Sequence, residues 1–314
     1  MSVFFNLLAI FSITFIVANV SLSAIFSLLG QQIIKIEVKS RKFLLWTVVS
    51  LPWALSFVPA ILILQAYHTG DSLYDFALLH WHHMTHFEWF SWHGFTVGVA
   101  LFFVMYVLIS QGRLLWNHKK EIESLMCFST NIETDIYQIE SDNASAFTSG
   151  FFTKKCFVTT ALIEQTTCEE YDVVIKHERA HIATNDPAKK WLFTLLCLFF
   201  IKPIAQRLKL HMILAMEQEA DNAVIKSGTS KLFVASTLVK VAKLNAQSDL
   251  LKNKSLVVNF GADVLEQRIY FLLDKLKLEP IHKGITFSLV MVLVIVSSAS
   301  IDGIHHFMET FFGH

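Results

Sequence analysis

The chain has 314 residues, of which 54% are hydrophobic and only 17% charged, and its net charge is zero. Soluble globular proteins carry about 25% charged residues, so the deficit points to lipid, and the charge balance offers no basic field for direct nucleic-acid binding. The four cysteines (Cys127, Cys156, Cys168, Cys197) form no C-x-x-C pair and read as reduced, buried thiols without a disulfide framework.

Four apolar runs reach the roughly 17–25 residues that cross a bilayer as helices: Val3–Leu29, Phe43–Leu64, Gly94–Ser110 and Gly284–Ile301. The first has no Lys or Arg before it and no short apolar core with a cleavage site, so it reads as a span and not a signal peptide. Pro52 and Pro59 should kink the second, which neighbouring helices tolerate. Every Lys and Arg falls in Lys35–Lys42 or Arg113–Lys283. The positive-inside rule then puts both termini outside and the long basic segment in the cytoplasm. Three parts follow: residues 1–111 with three spans, a cytoplasmic domain over 112–283, and 284–314 with the fourth span and a short outer tail.

Between the second and third spans lies an outer loop (67–93) that reads LLHWHHMTHFEWFSWH from Leu78 to His93. It holds His80, His82, His83, His86 and His93, and nine of the 14 histidines fall in the predicted outer segments. Imidazoles bind copper, zinc or nickel and titrate near neutral pH, so a metal- or proton-sensing surface is one reading. An interfacial belt built around Trp81, Trp89 and Trp92 is the other.

Within the cytoplasmic domain, VVIKHERAHIATND (Val173–Asp186) contains H-E-x-x-H. Capping signals at Thr166 and Thr167, with Glu169 and Glu170 three residues on, open a helix that Asp186-Pro187 should stop. On that helix His177 and His181 are one turn apart and share a face, able to hold one zinc ion, with Glu178 beside them to take a proton from metal-bound water. Two surface histidines on a charged helix are the alternative.

The run Trp191–Ile201 is too short to cross and reads as re-entrant, interfacial or core, with the re-entrant reading extending over 191–216. Beyond it, LAMEQEADNAVI offers Glu217 and Asp221 on one helix face and Glu219 nearly opposite. Glu217 is the candidate third ligand. Asp221 is placed to orient a zinc-bound histidine, and Glu219 suits solvent or an ion pair. The apolar segment Cys156–Thr160 is either an edge strand that pairs with an extended substrate or a core strand. Arg207 and His211 are oxyanion candidates by proximity in sequence only. The rest, from Lys226 to Lys283, reads as helical scaffold, with Asn253–Asn259 as a loop.

HERAHIATND followed by EQEAD resembles the gluzincin pattern, most closely that of BlaR/MecR-type membrane metallopeptidases, with HtpX/Ste24-type membrane peptidases next. SAFTSGFFTKKCFVTT (Ser145–Thr160) and LEQRIYFLL (Leu265–Leu273) are similar to segments flanking the zinc helix and the last span in the first group, so the likeness covers nearly the whole chain. The resemblance implies a mainly α integral membrane protein of the bacterial plasma membrane. Its α+β zinc peptidase domain would lie between the third and fourth spans. It also implies zinc on His177, His181 and Glu217, Glu178 as general base, and Asp186 and Asp221 as supporting aspartates. Only Asp302–His314 follow the last span, so a relative without the penicillin-binding sensor is expected. The expected substrate is a protein or peptide, with a cytoplasmic transcriptional repressor as one candidate. A membrane-protein quality-control peptidase is the alternative within the class, and a catalytically idle metal- or pH-sensing membrane protein the alternative outside it.

Overall fold

The computed structural model describes residues 2–30, 32–69, 87–151, 153–249 and 255–280, and beyond them residues 284, 287, 288, 290–296, 303, 307 and 310. Among the described residues, three helices are long and apolar enough to cross a membrane: α1 (Ser2–Leu29), α2 (Val38–Thr69) and α3 (Trp92–Cys127). Each contains one predicted span. Helix α2 runs through Pro52 and Pro59 as one helix. The predicted fourth span lies only partly within the described residues; there, 290–296 are helical and Leu293 is buried in the core shared by α1 and α2.

Helix α3 outruns its apolar part. At ~1.5 Å per residue it continues about 25 Å past Ser110, and its composition switches there to charged residues such as the Lys119–Glu123 ion pair at 3.7 Å. Its far end leads into a four-stranded sheet of β1 (Ser129–Glu133), β2 (Ile136–Ile139), β3 (Ala146–Ser149) and β4 (Lys155–Thr159), in the order β1-β2-β4-β3.

Strand β4 pairs with β2 in parallel and with β3 antiparallel, and Cys156, Phe157 and Val158 are fully buried. Residues 156–159 therefore form a core strand, which settles the two readings against an edge. The edge is β3. Gly150 turns β3 toward β4 at φ +114°, where a Cβ would come within 2.0 Å of the Thr153 carbonyl oxygen.

After the short α4 (Thr160–Gln165) comes α5 (Cys168–Thr184). Thr167 caps it in a reciprocal box with Glu170, and it ends at Asn185 in the left-handed region. Helix α6 (Asp186–Cys197) starts directly with Pro187 in its first turn, and α7 (Lys202–Lys226) returns antiparallel after a brief turn. Helices α8 (Lys231–Asp249) and α9 (Ser255–Leu272) complete the domain. Because α9 begins at Ser255, residues 255–259 are helical and not the expected loop.

The α6–α7 pair explains why Trp191–Ile201 is too short to cross: the chain goes out and comes back. Phe193, Cys197, Ile204, Leu208 and Met212 share one core with Leu22, Phe26, Leu45 and Val49 of α1 and α2. At the turn, the Phe199 ring lies 5.5 Å from Phe15, 5.0 Å from Trp53 and 5.6 Å from Phe103, midway along the three apolar helices. On its other side, Ile175 of α5 packs with Cys156 and Val158 of β4, Leu162 of α4, and Val241 and Leu244 of α8. Two of the four thiols, Cys156 and Cys197, are buried as expected, whereas Cys127 and Cys168 are exposed.

Candidate metal centre

Helix α5 carries His177 and His181 one turn apart, and α7 crosses it so that Glu217 meets both. His177 Nε2 lies 3.2 Å from His181 Nε2 and 3.2 Å from Glu217 Oε2, and His181 Nε2 lies 3.6 Å from Glu217 Oε1. Two nitrogens bound to a tetrahedral zinc at ~2.0–2.1 Å would be about 3.3–3.4 Å apart. The observed spacing fits that geometry without rearrangement.

The distal ring nitrogens are also committed. His181 Nδ1 is 2.8 Å from Asp186 Oδ2, and His177 Nδ1 is 3.0 Å from Asp221 Oδ1. Asp186 hydrogen-bonds His181 and Asp221 lies in ion-pair range of His177, which favours the tautomers whose Nε2 lone pairs face the common point. The αL turn at Asn185 makes this possible by bringing Asp186 back beside the last turn of α5. Glu219, on the opposite face of α7, ion-pairs with Lys42.

Two residues of the site escaped the sequence reading. Arg268 of α9 grips Asp221 through Nε (2.9 Å) and Nη2 (2.7 Å) and places Nη1 2.9 Å from Glu217 Oε2. Its segment stood out only by resemblance, and no local signal links it to a carboxylate 47 residues away. Thr148 of the edge strand β3 donates its hydroxyl to Glu178, 2.8 Å from Oε2 and 3.0 Å from the backbone carbonyl.

The electrostatics suit a dication: Glu178, Glu217, Asp221 and Asp186 converge on the site against Arg268. Burial opposes ionisation of Glu217 and Asp221. The His177 contact and the Arg268 charge outweigh it for both, and hold each carboxyl below its ordinary range. Burial likewise opposes charge on His177, but Asp221 and Glu217 raise its pKa to about 9 in the metal-free protein.

The centre opens into a cleft of about 840 Å³. Its walls are β3 with the following turn, α5, α8, the start of α6 and the extension of α3. From α3, His118 reaches Ser149 at 3.2 Å. Arg207 and His211 do not line this cleft; His211 packs edge-on against Phe26 instead. His80, His82, His83 and His86 lie outside the described residues, and His93 stacks on Trp92 at the start of α3.

Residues 117–255 match the family model for Peptidase family M48, a stretch that runs from the extension of α3 through α8 and includes all three candidate ligands. No curated protein and no solved structure matches the chain. The family match and the His177–His181–Glu217 cluster make this a zinc metallopeptidase, a hydrolase of peptide bonds that carries helices able to cross a membrane.

Proposed function

We propose that the protein is a membrane-integrated zinc endopeptidase that cuts an extended polypeptide at the cytoplasmic face of the bacterial plasma membrane, with both termini outside. The observation that carries this reading is the held but non-ligating Glu178: it sits beside three converging ligands, fixed by Thr148, and faces a cleft. A purely structural zinc site usually has four protein ligands and needs no such neighbour, which argues against the idle-sensor alternative.

His177, His181 and Glu217 would hold a zinc ion, which would supply Lewis acidity toward the scissile carbonyl and the attacking water. The Glu178 carboxylate would take a proton from the attacking water and pass it to the amine nitrogen as the C–N bond breaks. Asp186 and Asp221 hold the two imidazoles in register, and Arg268 fixes Glu217. Strand β3, hydrogen-bonded on one side to β4, offers its other edge to the substrate backbone.

The resemblance to BlaR/MecR-type peptidases favours a cytoplasmic transcriptional repressor as substrate. The input would come from the outer histidines His80, His82, His83, His86 and His93, acting as a metal- or proton-sensing surface. The test uses the purified protein in liposomes with a loosely folded polypeptide and a folded helix-turn-helix repressor. Glu178→Gln should lower any cleavage by about 10²–10⁴-fold; full activity in that variant refutes the reading. Steady cleavage of the loose chain alone would point to quality control instead.

A further inference from the structure

The first turn of α2 is an unfavourable place for cations. The positive end of the helix dipole is there, and Arg41 is fully buried, at a desolvation cost that demands partners. Side-chain partners come from α7, the helix of Glu217. Arg41 donates from Nη2 to Gln218 Oε1 and from Nη1 to the Ile34 carbonyl at 3.2 Å. The next residue, Lys42, with 13% of its side chain exposed, ion-pairs with Glu219 and lies 4.0 Å from Asp186 Oδ1.

Gln218 and Glu219 directly follow Glu217 in α7, and the other oxygen of Asp186 is the one that holds His181. Two consecutive residues of α2 thus touch the neighbours of the third ligand and the carboxylate behind the second. Below this clamp, Leu45, Val48 and Val49 of α2 pack with Phe193, Leu208 and Met212 of the α6–α7 pair, so α2 and α7 share one core. Arg41, Lys42, Gln218 and Glu219 do not line the substrate cleft.

We infer that Arg41 and Lys42 are positioning residues of the zinc centre: they set Glu217 through Gln218 and Glu219, and His181 through Asp186, so that the placement of the apolar helix α2 sets the geometry of the site. The inference rests on the zinc reading above. It concerns residues that touch neither substrate nor metal.

The test measures zinc affinity by chelator competition, with zinc alone as probe, in the full-length protein carrying Gln at His80, His82, His83 and His86. The variants are Lys42→Met, Lys42→Arg, Gln218→Leu and, as a packing control in the same helix but in a separate core with α1 and α3, Ile63→Ala. Gln218→Leu stands in for an Arg41 variant, which leaves a hole among buried polar groups and can fail to fold.

Lys42→Met and Gln218→Leu should each weaken zinc binding about tenfold, the lower end of what loss of an orienting group costs. In these two variants kcat should fall while KM holds. Lys42→Arg should restore most of the affinity, and Ile63→Ala should lower the melting temperature without changing zinc affinity. Wild-type affinity in Lys42→Met, or equal zinc loss in Ile63→Ala, overturns the inference. A parent protein that holds no zinc at the three ligands overturns the zinc reading itself, and this inference with it.

Discussion

Arg268 meets Asp221 edge to edge, with Nε and Nη2 2.9 and 2.7 Å from the two carboxylate oxygens, while its third nitrogen touches Glu217. One guanidinium therefore fixes both a candidate zinc ligand and the aspartate behind another ligand. Asp221 is fully buried, so removing Arg268 leaves an uncompensated charge. Arg268→Met should weaken zinc binding by about 10–100-fold and destabilise the protein by about 3–5 kcal/mol. Chelator competition and thermal unfolding check the two effects separately. Arg268→Lys should not restore the affinity, because an ammonium cannot reproduce the two parallel contacts.

Thr148 supports Glu178 and not the metal. Thr148→Val keeps the shape of the side chain and deletes the hydroxyl that reaches Glu178 Oε2 at 2.8 Å. Loss of one hydrogen bond to a charged group, worth about 1.5–3 kcal/mol, should lower kcat by about 10–100-fold with zinc content unchanged. Thr148→Ser should stay near wild type. Single-turnover kinetics and metal analysis on the same samples decide it.

The metal-free centre has its own pH signature. His177 is raised from 6.5 to about 9, so the folded state holds that proton more tightly than the unfolded chain. Its contribution to stability is complete below pH 6.5 and is lost as pH rises through about 9. Glu217 and Asp221 are depressed below their ordinary 4.5 and 3.8, so their contributions are present above those values and lost as pH falls below them. The chelated protein should melt highest between about pH 4.5 and 6.5 and lose stability toward pH 9 and above. His177→Gln should flatten the alkaline limb. A melting temperature constant from pH 6 to 10 in chelated wild type contradicts this account.

The proposed sidedness is open to the native thiols. Cys127 and Cys168 are exposed and belong to the domain assigned to the cytoplasm. A membrane-impermeant thiol reagent should leave both unlabelled in intact cells and label both in inverted vesicles. Trp89→Cys, at an exposed position before α3, should behave in the opposite way. Labelling of Cys168 in intact cells would invert the topology.

What the chain declares locally, the fold keeps. The spacing of His177 and His181, the Thr167–Glu170 box and the Asp186-Pro187 break are all contained within one helix and its ends, where helical period and capping chemistry decide the structure. Glu217 and Asp221 were legible because a zinc site needs a third ligand with a neighbour on the same face. The contacts of Arg268, Thr148 and Lys42 were not, since each joins elements whose relative placement depends on tertiary packing alone. Strand order was harder still, although Cys156-Phe157-Val158 carried a clue. An unbroken apolar run is what a strand covered on both faces requires, and the edge role fell to the more polar Ala146–Ser149. Length alone excluded a crossing at Trp191–Ile201, but only the packing of Phe199 against Phe15, Trp53 and Phe103 shows how deep the turn reaches.

The most direct test of the central claim is the zinc content of the purified protein in a background with Gln at His80, His82, His83 and His86, measured for wild type, Glu217→Ala and Glu178→Gln. A three-ligand site with a separate base predicts about one zinc per chain in wild type and in Glu178→Gln, and loss of that zinc in Glu217→Ala. Zinc that survives Glu217→Ala, or vanishes with Glu178→Gln, would contradict the assignment of ligands and base.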